Sequence, residues 1–175
     1  VSCQSKDILM FERLLEEAPL FFTYHNMIFI LEAMGRTLSM TLIGCSVGLV
    51  CGLLIAVLRQ SNSHALIPIK FIAIAYVEIF RRIPFLIILF IVLFVIEPLM
   101  PGTSLLGIAT VAICLLSTAF LSEIIRAGLE SVPPQQIEGA KTLNFSFLQT
   151  LMSVMLPQSW KVILPPTAAL IVMFI

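Results

Sequence analysis

Residues 122–157 read SEIIRAGLESVPPQQIEGAKTLNFSFLQTLMSVMLP. This segment is polar and charged, about 35 residues long, and it lies between two strongly apolar parts of the chain. It contains ordered helix start and stop signals, which a passive tether would not need. We therefore interpret it as a structured docking element set between apolar segments.

The first helix predicted in this loop runs from Pro133 to about Leu143. Ser131 is a candidate N-cap, and Pro133-Pro134 suits a first helical turn, where missing N–H groups cost little. Asn144 is a candidate left-handed stop, because asparagine tolerates that conformation better than most residues other than glycine. A second helix is predicted to open at Ser146, which forms a capping-box pattern with Gln149 three residues later.

The predicted short helix has the composition of a contact surface. Gly139 and Ala140 carry little side-chain bulk and would allow a partner backbone to approach closely. Glu138 supplies a charge, and Ile137 and Leu143 supply apolar anchors. Such a helix suits a groove on another protein; the alternative is an interfacial helix lying on lipid headgroups.

The composition indicates a membrane protein. The chain is 59% hydrophobic and 11% charged, with a mean hydropathy of +1.09, whereas soluble domains carry about 25% charged residues. Ten basic and ten acidic residues cancel, so no net field points to nucleic acid. Four cysteines without framework spacing are interpreted as small packing residues: Cys3, Cys45, Cys51 and Cys114.

Apolar runs predict the membrane spans. Residues 1–34 are interpreted as an amphipathic interfacial segment. Uncharged runs at 37–58 and 104–122, together with 83–100, are long enough to cross a bilayer, and a last apolar stretch covers 148–175. The segment 65–80 is apolar in its middle and is predicted to be partly embedded.

Small and charged residues predict contacts between these spans. Glycines recur about every four residues along the first span and would let another helix approach closely: Gly35, Gly44, Gly48 and Gly52. Glu123 and Arg126 are three residues apart and can pair on one helical face. Ser117 and Thr118 are expected to bond to carbonyls of their own helix rather than to face a pathway.

The distribution of Lys and Arg predicts the topology. The connections 59–82 and 123–161 contain basic residues, whereas the short connection 97–103 contains none. A tight hairpin over 83–122 would place both basic connections in the cytoplasm. The run 37–58 must then enter from outside, with the N-terminus external.

These motifs together resemble the permease subunits of bacterial ATP-binding-cassette importers, in the polar amino acid group (histidine, glutamine, glutamate, arginine, opine). The general pattern is Glu-Ala-Ala, three residues, Gly, nine residues, Ile, one residue, Leu-Pro. Here it stands as Glu138-Gly139-Ala140, Asn144, Val154 and Leu156-Pro157. The amino-acid branch adds Glu-Ile-x-Arg-Ala-Gly-x-x-Ser-Val-Pro, which Glu123 to Pro133 match, Gly128 included.

The resemblance extends over about 35–175 and includes Tyr76 to Arg81 with Pro84. The sequence departs from the pattern at several positions. Asn144 replaces the turn glycine, Gly139 an alanine and Gln135 a common glycine. Arg82-Ile83 stands where Gly-Thr precedes the proline.

The resemblance implies an all-α, MetI-like type 1 transmembrane domain of about five helices over 35–175, with a cytoplasmic coupling loop at about 123–150. The chain begins at Val1 and stops in an apolar run, so we expect a fragment without the last helix of the family. The implied location is the bacterial cytoplasmic (inner) membrane, crossed several times.

The implied partners are a separate cytoplasmic ATPase, a second permease subunit, identical or different, and an extracytoplasmic amino-acid-binding protein. ATP would be used by the ATPase, since this chain has no phosphate loop and no residues suited to catalysis or to a metal. The resemblance assigns ATPase coupling to five residues of the 131–145 loop: Glu138, Gly139, Ala140, Leu143 and Asn144. Structural roles in the loop fall to Glu123, Arg126, Gly128, Ser131, Pro133, Ser146, Leu156 and Pro157.

Two alternatives to an importer remain at this point. A secondary transporter that runs without ATP would need ionisable groups inside the membrane, and the runs 37–58 and 104–122 have none. A truncated, non-functional permease remnant is the other alternative, suggested by the two ends of the sequence. The residues that contact substrate are not predicted.

Overall fold

The computed structural model describes residues 22–61 and 66–175. These contain seven α-helices and a π-helical turn: α1 (Tyr24–Gln60), α2 (Ile67–Arg82), α3 (Phe85–Leu99), α4 (Leu105–Glu130), α5 (Pro134–Thr142), α6 (Phe147–Thr150), the π turn (Leu151–Met155) and α7 (Leu156–Phe174). The all-α prediction is confirmed, since the described residues contain no strand. Cys3 and most of the predicted interfacial segment 1–34 lie outside the described residues.

The chain divides into two compact units, Val1–Ser39 and Met40–Ile175. In the described part of the first unit, α1 is mostly exposed and Arg36 donates to Glu32 one turn earlier. The second unit contains the rest of α1, from Met40 onward, and all later helices. Within the described residues, α1 and α4 are long and apolar enough to cross a membrane.

A sharp bend of 115° separates α2 from α3, and these two helices count as a third crossing if they form one broken span. The bend falls at Ile83-Pro84, where Ile83 is extended. The ring of a proline disfavours helical geometry at the preceding residue, so this dipeptide ends α2. The predicted span 83–100 corresponds to α3, and the partly embedded 65–80 corresponds to most of α2.

The polar loop 122–157 contains the two helices that the sequence predicts, one after Pro133 and one opening at Ser146, but its beginning differs from the prediction. Its first nine residues continue α4 to Glu130, because the apolar residues Ile125 and Leu129 still face the core after the first charge. Only two short turns remain, one on each side of α5. The predicted last apolar stretch, 148–175, corresponds to most of α6, the π turn and α7.

Three glycines of α1 form a close seam with α4. A Cβ atom placed on Gly44 would lie 2.4 Å from Ile113 Cγ2, and one on Gly48 would lie 2.2 Å from Ser117 Oγ. One on Gly52 would lie 2.9 Å from the backbone nitrogen of Ser122. The predicted approach of a second helix is therefore confirmed at these three positions; Gly35 has nothing within 4 Å.

Serine strengthens this α1–α4 seam. Ser117 Oγ donates to the carbonyl of Gly44 at 2.7 Å and lies 3.2 Å from the carbonyl of Cys114 in its own helix. Thr118 donates to Cys114 as well. The prediction of bonding within the helix is confirmed, and Ser117 adds a bond between helices of the kind that joins membrane helices.

The seam also shows that α1 and α4 run in the same direction. Moving along α1 from Gly44 to Gly52 moves the contact along α4 from Ile113 to Ser122. Helix α3 is joined to α4 by a short turn, and its Ile88 and Val92 pack against Ile108, Ala112 and Leu116 of α4. The relative directions agree with the predicted hairpin; which end faces the cytoplasm stays a prediction.

Candidate functional site

The turn between α4 and α5 is built differently from the prediction. Ser131 is not the N-cap of α5 but the C-cap of α4, where its hydroxyl donates to the carbonyl of Gly128 at 2.6 Å. Its backbone is right-handed helical, whereas an N-cap residue is extended. The N-cap of α5 is Pro133, with Pro134 in the first turn and no side-chain cap.

The end of α5 is a Schellman motif, and Asn144 occupies its left-handed position. Asn144 has φ 58°. Its N–H donates to the carbonyl of Lys141 at 2.9 Å, and the N–H of Phe145 donates to the carbonyl of Ala140 at 3.1 Å. This is the bond pattern that glycine usually completes, so the prediction of an asparagine stop is confirmed.

A capping box starts α6, as predicted. Ser146 Oγ accepts from the N–H of Gln149 at 3.4 Å, and the N–H of Ser146 donates to Gln149 Oε1 at 2.8 Å. Together the two caps define α5 as a separate, short helix with a fixed beginning and end.

Helix α5 has an inner and an outer face. Ala140 is only 4% exposed, and Ile137 packs against the core formed by Leu129, Val132 and Met155, among others. Ala140 therefore faces its own chain, which corrects the prediction that it makes room for a partner. On the outer face Glu138 is exposed, Leu143 is 70% exposed, and a Cβ atom placed on Gly139 would meet nothing within 4 Å.

The junction of the π turn and α7 contains the Leu-Pro pair of the motif. The N–H of Leu156 donates to the carbonyl of Leu151 five residues earlier, and Pro157, which has no N–H, lies in the first turn of α7. π-Helical turns occur often at functional sites. Beneath this junction, a Cβ atom on Gly128 would lie 2.3 Å from Ile163, so α4 and α7 approach each other closely at Gly128.

A charged cluster lies where α1, α2 and α4 meet. Glu123 accepts from Arg126 Nε at 3.1 Å and from Arg59 Nη1 at 2.9 Å, and Arg81 Nη1 lies 3.8 Å away. Arg126 also bonds to Glu130. The Glu123–Arg126 pair is confirmed. The participation of Arg59 and Arg81 was not predicted, because both are far from Glu123 in the sequence and only the basic character of 59–82 hinted at it.

The described part of the chain also contains His, Cys and Glu residues, which are types that bind metal ions. No group of three or more His, Cys, Asp or Glu residues there could hold a metal ion. Cys45, Cys51 and Cys114 are free and at least partly buried, in agreement with a packing role. Glu97 is exposed at the end of α3, and His64 lies outside the described residues.

The family model for the "binding-protein-dependent transport system inner membrane component" matches residues 48–175. The chain belongs to this family.

Curated relatives of this chain are named as components of amino acid transporters. The probable glutamine ABC transporter permease protein GlnM of Bacillus subtilis (strain 168) is 32% identical over 145 residues, which are 82% of this chain and 65% of GlnM. The arginine transport system permease protein ArtQ of the same organism is 33% identical over 139 residues, 78% of this chain and 62% of ArtQ. The chain thus spans less than two thirds of these relatives.

Solved structures confirm the fold of the chain. A crystal structure of an amino acid ABC transporter with histidines superposes with a TM-score of 0.69 at 28% identity, covering 84% of this chain and 71% of that chain. The MetNI methionine ABC transporter in an inward-facing conformation gives a TM-score of 0.75 at 21% identity, covering 87% and 73%. The predicted MetI-like type 1 fold is therefore confirmed.

Proposed function

We propose that this chain is the permease subunit of an ATP-binding-cassette importer that moves polar amino acids across the bacterial cytoplasmic membrane. The observation that supports this most directly is α5, a doubly bounded helix whose inner face is fixed by Ile137 and Ala140 and whose outer face is open. A separate cytoplasmic ATPase would dock on Glu138, Gly139 and Leu143, with Asn144 fixing the end of the helix.

The remaining partners follow from the same proposal. A second permease subunit would complete the pathway, and an extracytoplasmic protein would deliver the amino acid. This chain would bind no cofactor and perform no reaction, because ATP is hydrolysed on the partner. Polar amino acids are the proposed cargo because GlnM and ArtQ carry glutamine and arginine in their names.

The alternative of an ATP-independent transporter is less well supported. The matched family consists of components of binding-protein-dependent systems. Among the described residues, the charged groups of α1 and α4 are grouped at the ends of the uncharged runs and pair with each other there. A secondary transporter would need such groups within the spans.

The docking proposal is tested by reversing one charge on the outer face of α5. Glu138→Lys should weaken co-purification of the ATPase in detergent, because the reversed charge no longer complements the groove that accepts Glu138. Glu97→Lys is the matched control, since it makes the same change at an exposed position at the end of α3. Membrane insertion should be unchanged in Glu138→Lys, and it is measured in both variants because Glu97→Lys adds a basic residue to the predicted external connection. Equal retention of the ATPase by both would refute docking on α5.

A further inference from the structure

An open cavity of about 590 Å³ lies between the end of α1, the inner side of α5, and the segment formed by α6 and the π turn. Eight residues line it, among them Gln60, Lys141, Phe145, Phe147, Thr150 and Met155. Its volume is typical of a small-molecule site, and the lining combines apolar walls with a few polar groups. The proposed coupling residues Glu138, Gly139 and Leu143 do not line this cavity, so the two sites are distinct.

The electrostatics of the cavity favour an anion. Lys141 is its charged residue, and Lys141 forms no ion pair with any residue in 22–61 or 66–175. No carboxylate from these ranges lines the cavity. A single ammonium group beside an open, partly apolar space attracts a negatively charged group that has an apolar body.

The position of the cavity corresponds to the edge of the bilayer. The uncharged run of α1 ends at Leu58, and the uncharged run of α4 ends at Ser122. The next residues, Arg59 and Glu123, pair with each other, so both spans change from apolar to charged at one level. Gln60, one residue further, lines the cavity. Phospholipid headgroups lie at this level, and basic pockets between membrane helices bind them.

The aromatic walls of the cavity and the amide of Gln60 indicate which kind of anion fits. Phe145 and Phe147 remain 37% and 42% exposed and would cover the glycerol and upper acyl part of a lipid. Gln60 Oε1 is buried in the wall and has no hydrogen-bond donor among the described residues. A headgroup hydroxyl can supply that donor once the amide turns toward the cavity.

We propose that this cavity binds an anionic phospholipid whose headgroup carries hydroxyl groups, such as phosphatidylglycerol. Lys141 would hold the phosphate, Gln60 a headgroup hydroxyl, and Phe147 with Met155 the apolar part. The bound lipid would then hold α5 in its position next to the end of α1, with the outer face of α5 exposed to a partner.

Native mass spectrometry of the full chain, purified without ATPase and equilibrated with equal phosphatidylglycerol and phosphatidylcholine, tests this proposal. The wild-type protein should retain phosphatidylglycerol preferentially. Lys141→Met should reduce that retention about fivefold, the effect of one lysine near an anionic surface. Lys141→Arg should restore it. Lys161→Met, which removes an exposed lysine of α7 away from the cavity, should leave it unchanged.

Two further measurements test whether the bound phosphate belongs to a lipid or to a soluble molecule, and whether the Gln60 amide contacts the headgroup. Gln60→Met should remove the preference for phosphatidylglycerol over phosphatidic acid, which has no alcohol hydroxyl in its headgroup, while general retention of anionic lipid persists. If Lys141→Met and Lys161→Met lost equal amounts of phosphatidylglycerol, the lipid would be held by general attraction to surface charge, and the proposed site would be refuted. Displacement of the lipid by soluble glycerol phosphate would show a phosphate site open to solution and would also overturn the lipid assignment.

Discussion

Glycines of the α1–α4 seam and Gly139 on the outer face of α5 have opposite surroundings. A Cβ atom on Gly48 would lie 2.2 Å from Ser117 Oγ and 3.0 Å from the Ser117 carbonyl carbon, whereas one on Gly139 would meet nothing within 4 Å. The packing of α1 on α4 explains why position 48 is a glycine, since any side chain there would overlap Ser117. The packing of the chain gives no reason for the glycine at position 139, so the space over Gly139 is available to a partner, in agreement with the proposed docking.

The largest effect is expected from filling the seam. Gly48→Leu places a branched side chain where the helices already touch, and we expect a loss of about 3 kcal/mol or more, the upper range for overpacked cores. Gly35→Leu is the control, because Gly35 has nothing within 4 Å. Thermal unfolding in detergent, followed by circular dichroism, measures both. A Gly48 variant as stable as the Gly35 variant would mean that α1 and α4 do not meet at this seam.

A smaller effect is expected at the charged end of the seam. Glu123→Gln leaves the guanidinium groups of Arg59, Arg81 and Arg126 without their shared carboxylate. The side chain of Glu123 is 18% exposed and that of Arg59 is 13% exposed. We expect a loss of about 2 kcal/mol, below the range for a fully buried pair because water reaches this cluster.

Glu130→Gln is the control for the cluster, since it leaves Glu123 and its arginines in place. Chemical unfolding of both variants measures the difference, and it should narrow at high salt. An equal, small loss in both would show that the glycine seam alone joins α1 to α4 and that the ion pairs are incidental.

The smallest effect on stability is expected at Gly139. Gly139→Leu fits the open space and improves helix propensity, so stability should stay within about 1 kcal/mol of wild type or rise. Binding of the ATPase should nevertheless fall, because a leucine fills the space left for the partner. Co-purification and unfolding, measured on the same sample, separate the two effects. If Gly139→Leu lowered stability and left ATPase binding unchanged, Gly139 would be a packing glycine like Gly48 and not part of a docking surface.

Local signals predicted the parts of the site that depend on neighbouring residues. The capping box at Ser146 and the left-handed Asn144 depend on backbone bonds within one turn, so the sequence specifies them directly. The pairing of Glu123 with Arg126 depends on helical spacing in the same way. The role of Ser131 was wrong because a serine can close one helix or open the next, and the apolar residues of 122–130 extended α4 up to it.

The features that the sequence did not reveal depend on distant residues. Ala140 and Gly139 are adjacent and similar in size, and only the position of the core beneath α5 shows that one faces inward. Arg59 and Arg81 reach Glu123 because α1, α2 and α4 pack together, which spacing along the chain does not encode. The bend at Ile83-Pro84 follows from the proline, but its angle depends on packing against α4.

The common direction of α1 and α4 has an electrostatic consequence. Peptide dipoles align along a helix, so its C-terminal end carries a partial negative charge. Arg59 lies in the last turn of α1, Arg81 in the last turn of α2, and Arg126 four residues before the end of α4. Neighbouring helix ends of the same sign repel each other. The three arginines, which all lie close to Glu123, place positive charge near these ends and offset that repulsion. The arginines on which the topology prediction rests therefore also help α1 and α4 to lie side by side in the same direction.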